Sequence, residues 1–216
     1  CRTIQPVVQH EDLTTIEWSG YTWRVKNGFE KQGPGPNYFS SHPRTIWVDD
    51  QGLLHMTIRK IGEKWYCSEV FCTQELGYGK YSFELVSAVD KLDSNAVLGL
   101  FTWRESGGRH NNEIDIEISR WGKTQSNNAQ YVVQPYTVPG NLSRFNIYQT
   151  GDFSTHEFLW MHEAIYFHSF HGHYSENEDS PDMNSWFYTK STIPNPKRTH
   201  VRINLWLNNP LGTRSG

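Results

Sequence analysis

Short runs that alternate apolar and polar residues, or stay apolar for a few positions, recur along the whole chain. They are "TIWVDD", "LLHMTIRKI", "KWYCSEVFCT", "KYSFELVSAV", "AVLGLFTW", "EIDIEIS", "AQYVVQPY", "EFLWMHEAIYFHSF" and "HVRINLWL". Between them lie "DDQG", "GYGK", "ESGGRHNN", "TVPGN", "NEDSPDMNS" and "IPNPKR", rich in the turn residues Gly, Pro, Asn, Asp and Ser. No segment keeps a helical apolar period over the length of a helix. The pattern predicts an all-β sandwich. Its cleanest alternation is "HNNEIDIEISRWG", residues 110–122. Strand side chains point to opposite faces with a period of two, so Ile114, Ile116 and Ile118 share one face and Glu113, Asp115 and Glu117 the other. Three like charges on one face repel, and Asp and Glu are poor strand formers. The arrangement lowers local stability, and folding does not account for it.

A length of 216 residues suits one domain with a sizeable core, and no composition break or linker divides it. Residues 1–17 read as an N-terminal tail or linker, and 18–216 as the folded domain. Aromatics make up 14% of the chain, with 9 Trp, 11 Tyr and 11 Phe, a composition suited to flat apolar surfaces that stack on rings. A net charge of -3 and a pI near 6.4 supply no positive field for a phosphate backbone, so nucleic acid is a poor partner and a neutral polymer a better one. The longest clean apolar run, "AVLGLF", is far short of the ~18 residues of a membrane span. A monomer is expected.

Cys67 and Cys72 fall on one predicted strand at odd separation, on opposite faces and about 16 Å apart, so they should not be bridged. Cys1 has the form of a mature lipoprotein start, which would place the protein outside the cytoplasm or at the cell surface; otherwise it is simply where the sequence begins. His168, His171 and His173 are expected at a strand end and its turn rather than around a metal. Only His171 and His173 share an alternating face, and no acid or Cys of matching spacing lies beside them in the sequence. "NLS" at Asn141 has the form of a glycosylation acceptor, a triplet that arises often by chance.

Three acids on one face could hold a cation or cleave a glycosidic bond. Calcium prefers oxygen ligands wrapped around it by a loop, which a straight strand does not provide, so the acids are not expected to bind metal; a structural calcium elsewhere stays open. For hydrolysis the spacing works. Strand positions two apart are separated by about 6.6 Å, which puts the Cα atoms of Glu113 and Glu117 about 13 Å apart. Inward-leaning side chains bring the carboxyls near the ~5–5.5 Å of a retaining glycosidase. One glutamate then attacks the anomeric carbon, while the other protonates the leaving oxygen and later takes a proton from water. Asp115, between them, can hydrogen-bond the nucleophile and raise the pKa of the proton donor. No cofactor is required.

"EIDIE", followed some ninety residues later by "RINLW" and preceded by "LGYGKYSFELV", resembles glycoside hydrolase family 16, the family of lichenases, laminarinases and xyloglucan transglycosylases. The likeness runs from about Trp23 to Asn209, through "TIWVDDQGLLHMTI", "SEVFCTQELGYGKYSFEL", "AVLGLFTW", "NNEIDIE", "HEFLWMHEAIYFHSFHG" and "INLWLNN" in the family's order. The resemblance implies a concanavalin A-like β-jelly roll of two curved antiparallel sheets with a concave glycan cleft, and retaining hydrolysis of β-glycosidic bonds. It implies Glu113 as nucleophile, Asp115 as its partner and Glu117 as acid/base. The unbulged motif is that of lichenases and xyloglucan enzymes; typical laminarinases insert a residue before the last Glu.

The same resemblance implies Trp206 and Asn204 as an indole and an amide against a sugar, with an ordinary core Trp as the alternative for Trp206. It also implies binding roles for Glu69 and Gln130, and for Asn37 and Tyr38 over the non-reducing half of the cleft. Departures fall at binding positions: Asn111 and Asn112 stand where lichenases have Trp-Asp, Phe71 where they have Arg, and Val132 where they have Asn. Trp103 and Trp121 could supply stacking instead, or belong to the core. The family usually adds one more strand after "NLW". The expected function is a secreted or surface-anchored retaining endo-β-glucanase, with mixed-linkage β-1,3-1,4-glucan the leading substrate. A β-1,3-glucan or xyloglucan is the alternative, and from another class a non-catalytic, lectin-like carbohydrate-binding module.

Overall fold

The structure is a computed structural model and describes residues 14–106, 109–173, 181–190 and 192–209. Cys1, most of the expected tail and the residues after Asn209 lie outside these. Among the described residues the first eight strands are β1 (Thr15–Trp18), β2 (Tyr21–Val25), β3 (Tyr38–Phe39), β4 (Ile46–Val48), β5 (Leu54–Met56), β6 (Arg59–Ile61), β7 (Lys64–Cys72) and β8 (Gly79–Leu85). The rest are β9 (Ala96–Trp103), β10 (Ile114–Ile118), β11 (Ala129–Val133), β12 (Leu142–Phe145), β13 (Ser154–Trp160), β14 (Ile165–His171), β15 (Asp182–Tyr188) and β16 (His200–Leu207). The only helical turns among the described residues are 3-10 segments at Val89–Lys91 and Arg109–Asn112.

Two antiparallel sheets form a β-jelly-roll sandwich. The larger runs β1-β2-β7-β16-β9-β10-β11-β12, with β3 and β6 also on β7; the smaller runs β15-β14-β13-β8, and β4-β5 is a separate hairpin. Among the described residues only β3 pairs in parallel. The isoleucines of β10 explain its place. Ile114, Ile116 and Ile118 are fully buried in the core between the layers, with Leu100, Tyr131, Phe158 and Phe167. Burial of such a side chain contributes about 1.5–3 kcal/mol, which offsets the cost of the acids on its other face. Aromatic rings knit the layers: Tyr131 of β11 stacks on Phe167 of β14 at 4.9 Å, and its hydroxyl donates to Ser169 Oγ at 2.8 Å. His156, buried among Ser154 and Ser169, is held neutral, its pKa pushed down to about 3 by burial.

Several sequence expectations change in detail. The "DMNS" that ends the expected turn "NEDSPDMNS" belongs to strand β15, an edge strand whose Trp186 stacks on Phe167 at 5.3 Å while Asp182 and Phe187 face out. "LLHMTIRKI" breaks into β5 and β6. The sheet opens at Thr15, inside the expected tail, where β1 pairs with β2. Cys67 and Cys72 both lie on β7, buried and unbridged, and burial pushes the Cys67 thiol up to about 11. His168 sits within β14, and two acids do lie beside it in space: Asp182 Oδ1 at 2.6 Å from Nε2, and Glu157 Oε1 at 3.8 Å from Nδ1. These acids come from neighbouring strands, so sequence spacing did not reveal them. Among the described residues no group of three His, Cys, Asp or Glu is placed to hold a metal. Asn141 is buried and bonded to Tyr188 and Pro135, which leaves its amide no room for a glycan.

Candidate active site

The outward face of the larger sheet carries the acids, and strand register sets the rest of the site. Arg202 of β16 lies opposite Phe71 of β7 and Phe101 of β9, and Phe101 lies opposite Asp115 of β10. The next row reads Glu69, Asn204, Gly99, Glu117, Gln130 and Arg144 across β7, β16, β9, β10, β11 and β12. All these positions share a parity, so their side chains converge on one surface. A cleft of ≈ 410 Å³ opens there. Its floor is Glu113, Asp115, Glu117, Gly99, Phe101 and Asn204; Trp103, Trp206, Glu69 and Arg202 wall it, and Lys26 with Gln32, Gly33 and Pro34 closes one end.

The turn into the acid strand explains one departure from the lichenase pattern. His110, Asn111 and Asn112 take left-handed φ values of 51°, 56° and 51°. Asn tolerates that region better than most residues, so the pair "NN" serves the backbone here. Thr102 Oγ1 donates to the Asn112 carbonyl at 2.9 Å and accepts from Ile114 N at 3.0 Å, which fixes where Glu113 leaves the turn.

Each acid has its own setting. Burial, above all, pushes Glu113 up to about 8, helped by the charge of Glu117 and opposed by a hydrogen bond with Asp115 and by the Arg202 charge. Asp115, 4% exposed, is raised well above the usual carboxylate range by burial and by both glutamates; the Gln134 amide, 3.2 Å from its Oδ2, opposes this. Glu117 is raised by burial and lowered in part by the Gln130 amide that donates to its Oε2 and by Arg144. Arg144 Nε in turn donates to Gln130 Oε1 at 2.9 Å. Neighbouring buried carboxylates cannot all ionise cheaply, so the strand retains protons near neutral pH. A proton held on Glu117 suits an acid, whereas Glu113 can act as a nucleophile only once its own proton has left.

The structure brings together seven of the residues singled out in the sequence: Glu113, Asp115, Glu117, Glu69, Trp103, Asn204 and Trp206 all line the cleft. Four others serve them from behind or lie elsewhere. Gln130 orients Glu117. Asn37, 1% exposed, spends its amide on the carbonyls of Pro34 and Leu207 and so braces the end loop. Tyr38 packs on Tyr66 at 5.8 Å beneath the Lys64 ammonium. Trp121 is covered by the Arg144 guanidinium, 4.5 Å from its ring centre. Glu69 is a buried ion-pair partner of Lys26 and Arg202, each at 3.0 Å.

Lys26, Gly99, Gln134, Arg144 and Arg202 escaped the sequence reading. Arg202 had a signal: it stands two before Asn204 on the same strand and so shares its face.

No protein-family model matches the chain, and no curated protein does. Solved structures match its fold. A Bacillus licheniformis β-glucanase is 17% identical with a TM-score of 0.61, the match covering 86% of this chain and 78% of that one. A glycoside hydrolase family 16 endo-glucanase from Bacteroides ovatus is 11% identical with a TM-score of 0.62, over 89% and 84%. An immunostimulatory antigen and pseudo β-1,3-glucanase of Mycobacterium tuberculosis is 16% identical with a TM-score of 0.60, over 86% and 80%. The chain has the jelly-roll fold of the family 16 β-glucanases.

Proposed function

We propose that the protein is a family 16 glycoside hydrolase, a retaining endo-β-glucanase acting on a neutral β-glucan, with mixed-linkage β-1,3-1,4-glucan the leading substrate. The observation that carries this reading is the acid row itself: Glu113, Asp115 and Glu117 side by side on the cleft floor, with Gln134 and Gln130 holding the last two. A purely binding surface gains nothing from three mutually repelling carboxylates.

In the first step Glu113, which must first give up its own proton to solvent, attacks the anomeric carbon as carboxylate while the glycosidic bond breaks, and the Glu117 proton passes to the departing sugar oxygen. Asp115, protonated, donates to Glu113 and keeps the nucleophile in place. In the second step Glu117 takes a proton from water, the hydroxyl oxygen bonds to the same carbon, and Glu113 departs as carboxylate. Two inversions return the starting configuration. Carboxyl groups supply nucleophile, acid and base, so the reaction needs no cofactor. Trp206 and Trp103 offer aromatic faces to sugar rings, and Asn204 an amide between them. All the proposed groups come from one chain, so a monomer suffices for the reaction. A polymeric substrate places its action outside the cytoplasm.

The test is reducing-sugar release from purified protein on mixed-linkage glucan, β-1,3-glucan, xyloglucan and galactans. Hydrolysis of a β-glucan, lost in Glu113→Gln and Glu117→Gln, supports the reading. Glycan binding without turnover on every member of the panel would leave a lectin-like module instead.

A further inference from the structure

Arg202 is an unusual occupant for the wall of a cleft meant for a neutral sugar. It is 7% exposed, and its fork is divided between two carboxylates: Nη1 donates to Glu69 Oε1 at 3.0 Å and Nη2 to Glu105 Oε1 at 2.6 Å. Aromatic rings lie along its faces, Phe71 at 4.7 Å and Trp103 at 6.0 Å from the guanidinium carbon. Glu69 is shared with Lys26, so an alternating chain Lys26, Glu69, Arg202, Glu105 runs along the wall. Its far end, Glu105, is exposed and belongs to the segment between Trp103 and the turn that delivers Glu113. A planar, two-pronged cation is suited to this bridge, whereas a point charge is not.

We propose that Arg202 is a positioning residue for the hydrolysis: by joining β7 to the segment after β9 it shapes the cleft wall at Trp103 and sets a positive charge beside Glu113. The proposal rests on the glucanase reading above. Register gives it a physical basis, since Arg202 faces Phe71 directly across the ladder. Removing the side chain would leave Glu69 with Lys26 alone and free Glu105 to swing into solvent.

The charged groups around Glu113 are Asp115 and Glu117 on its own strand, Arg202 on β16 with its partners Glu69, Lys26 and Glu105, and Arg144 behind Glu117. His200, two before Arg202, faces the carbonyl of Cys72 through Nδ1 at 3.0 Å. Among these Arg202 is the cation that favours the ionised form of Glu113. Its loss therefore raises the pH at which the nucleophile ionises.

The test is the pH dependence of kcat/KM for wild type, Arg202→Met and Arg202→Lys on whichever β-glucan the wild type hydrolyses. In R202M the acid limb moves upward, and KM rises several-fold as the wall loosens. In R202K the limb stays near the wild-type position, because a charge remains, while KM is still raised, because the two-pronged bridge is lost. A residue that only stabilises the fold would lower the melting temperature of R202M and leave the limb in place; that outcome overturns the proposal while the glucanase reading stands. Should R202M not fold, R202K decides: wild-type KM there overturns the proposal. If wild type hydrolyses no β-glucan, the reading falls and the role of Arg202 with it.

Discussion

The amide oxygen of Asn204 sits where a side chain on Gly99 would have to stand, 2.5 Å from the position of its Cβ. Gly99 faces Asn204 on one side and Glu117 on the other, so the missing side chain is the space that lets β16 and β10 present both groups to the same cleft. Its backbone is not left-handed, so room is the reason for glycine here. In Gly99→Ala the new methyl displaces the Asn204 amide, and kcat/KM falls roughly 10- to 100-fold, the usual effect of a displacement near 1 Å at a site. Steady-state kinetics check this; unchanged kcat/KM in a folded variant would mean Asn204 takes no part.

Trp206→Ala should raise KM on polysaccharide and leave folding intact, because a stacking face binds substrate and transition state together. A much lower melting temperature with KM unchanged would instead make Trp206 a core residue.

Trp121 gives the opposite signature. Its ring is covered by Arg144, which holds the Gln130 amide that holds Glu117. Trp121→Ala should lower kcat and the melting temperature and leave KM near wild type. A raised KM with kcat unchanged would put the indole in contact with sugar after all.

The acid row was legible because a strand's period of two is written in its own residues; "EIDIE" displays both the core face and the reactive face. Asn204 and Trp206 were legible through the resemblance of "RINLW" to the family's strand, their even spacing then putting them on one face, and β9 was legible as a short unbroken apolar run, buried along nearly all its length. What joins strands distant in sequence was not. Arg202 meets Glu69 across a separation of 133 residues and Glu105 across 97, contacts that only the register of β16 creates. Trp121 stayed open between a stacking face and the core because its cover, Arg144, is brought by β12. Strand β15 was hidden by Asp182, Asn184 and Ser185, turn-like residues that an edge strand accepts.

The acid row should contribute more stability in acid than at neutral pH. The pKa of Glu113 rises from 4.5 to about 8 on folding. The native state holds that proton more tightly than the unfolded chain, so the stabilisation is complete below about 4.5 and is lost as pH rises toward 8. Burial raises Asp115 and Glu117 in the same direction. Glu113→Gln should therefore melt about 2–4 °C higher than wild type at pH 8, corresponding to a gain on the order of 1 kcal/mol, and gain nothing at pH 4. Calorimetry at the two pH values checks the sign; a variant less stable at pH 8 would show that the carboxylate is well accommodated.

The division of labour along the acid strand is read most directly by the stereochemistry of the first product. Proton NMR during the opening minutes of hydrolysis distinguishes the anomers before mutarotation mixes them. With Glu113 as nucleophile and Glu117 as acid and base, a β-glucan releases the β-anomer first. Release of the α-anomer first would mean a single inverting displacement, and the roles assigned to Glu113 and Glu117 would fail together.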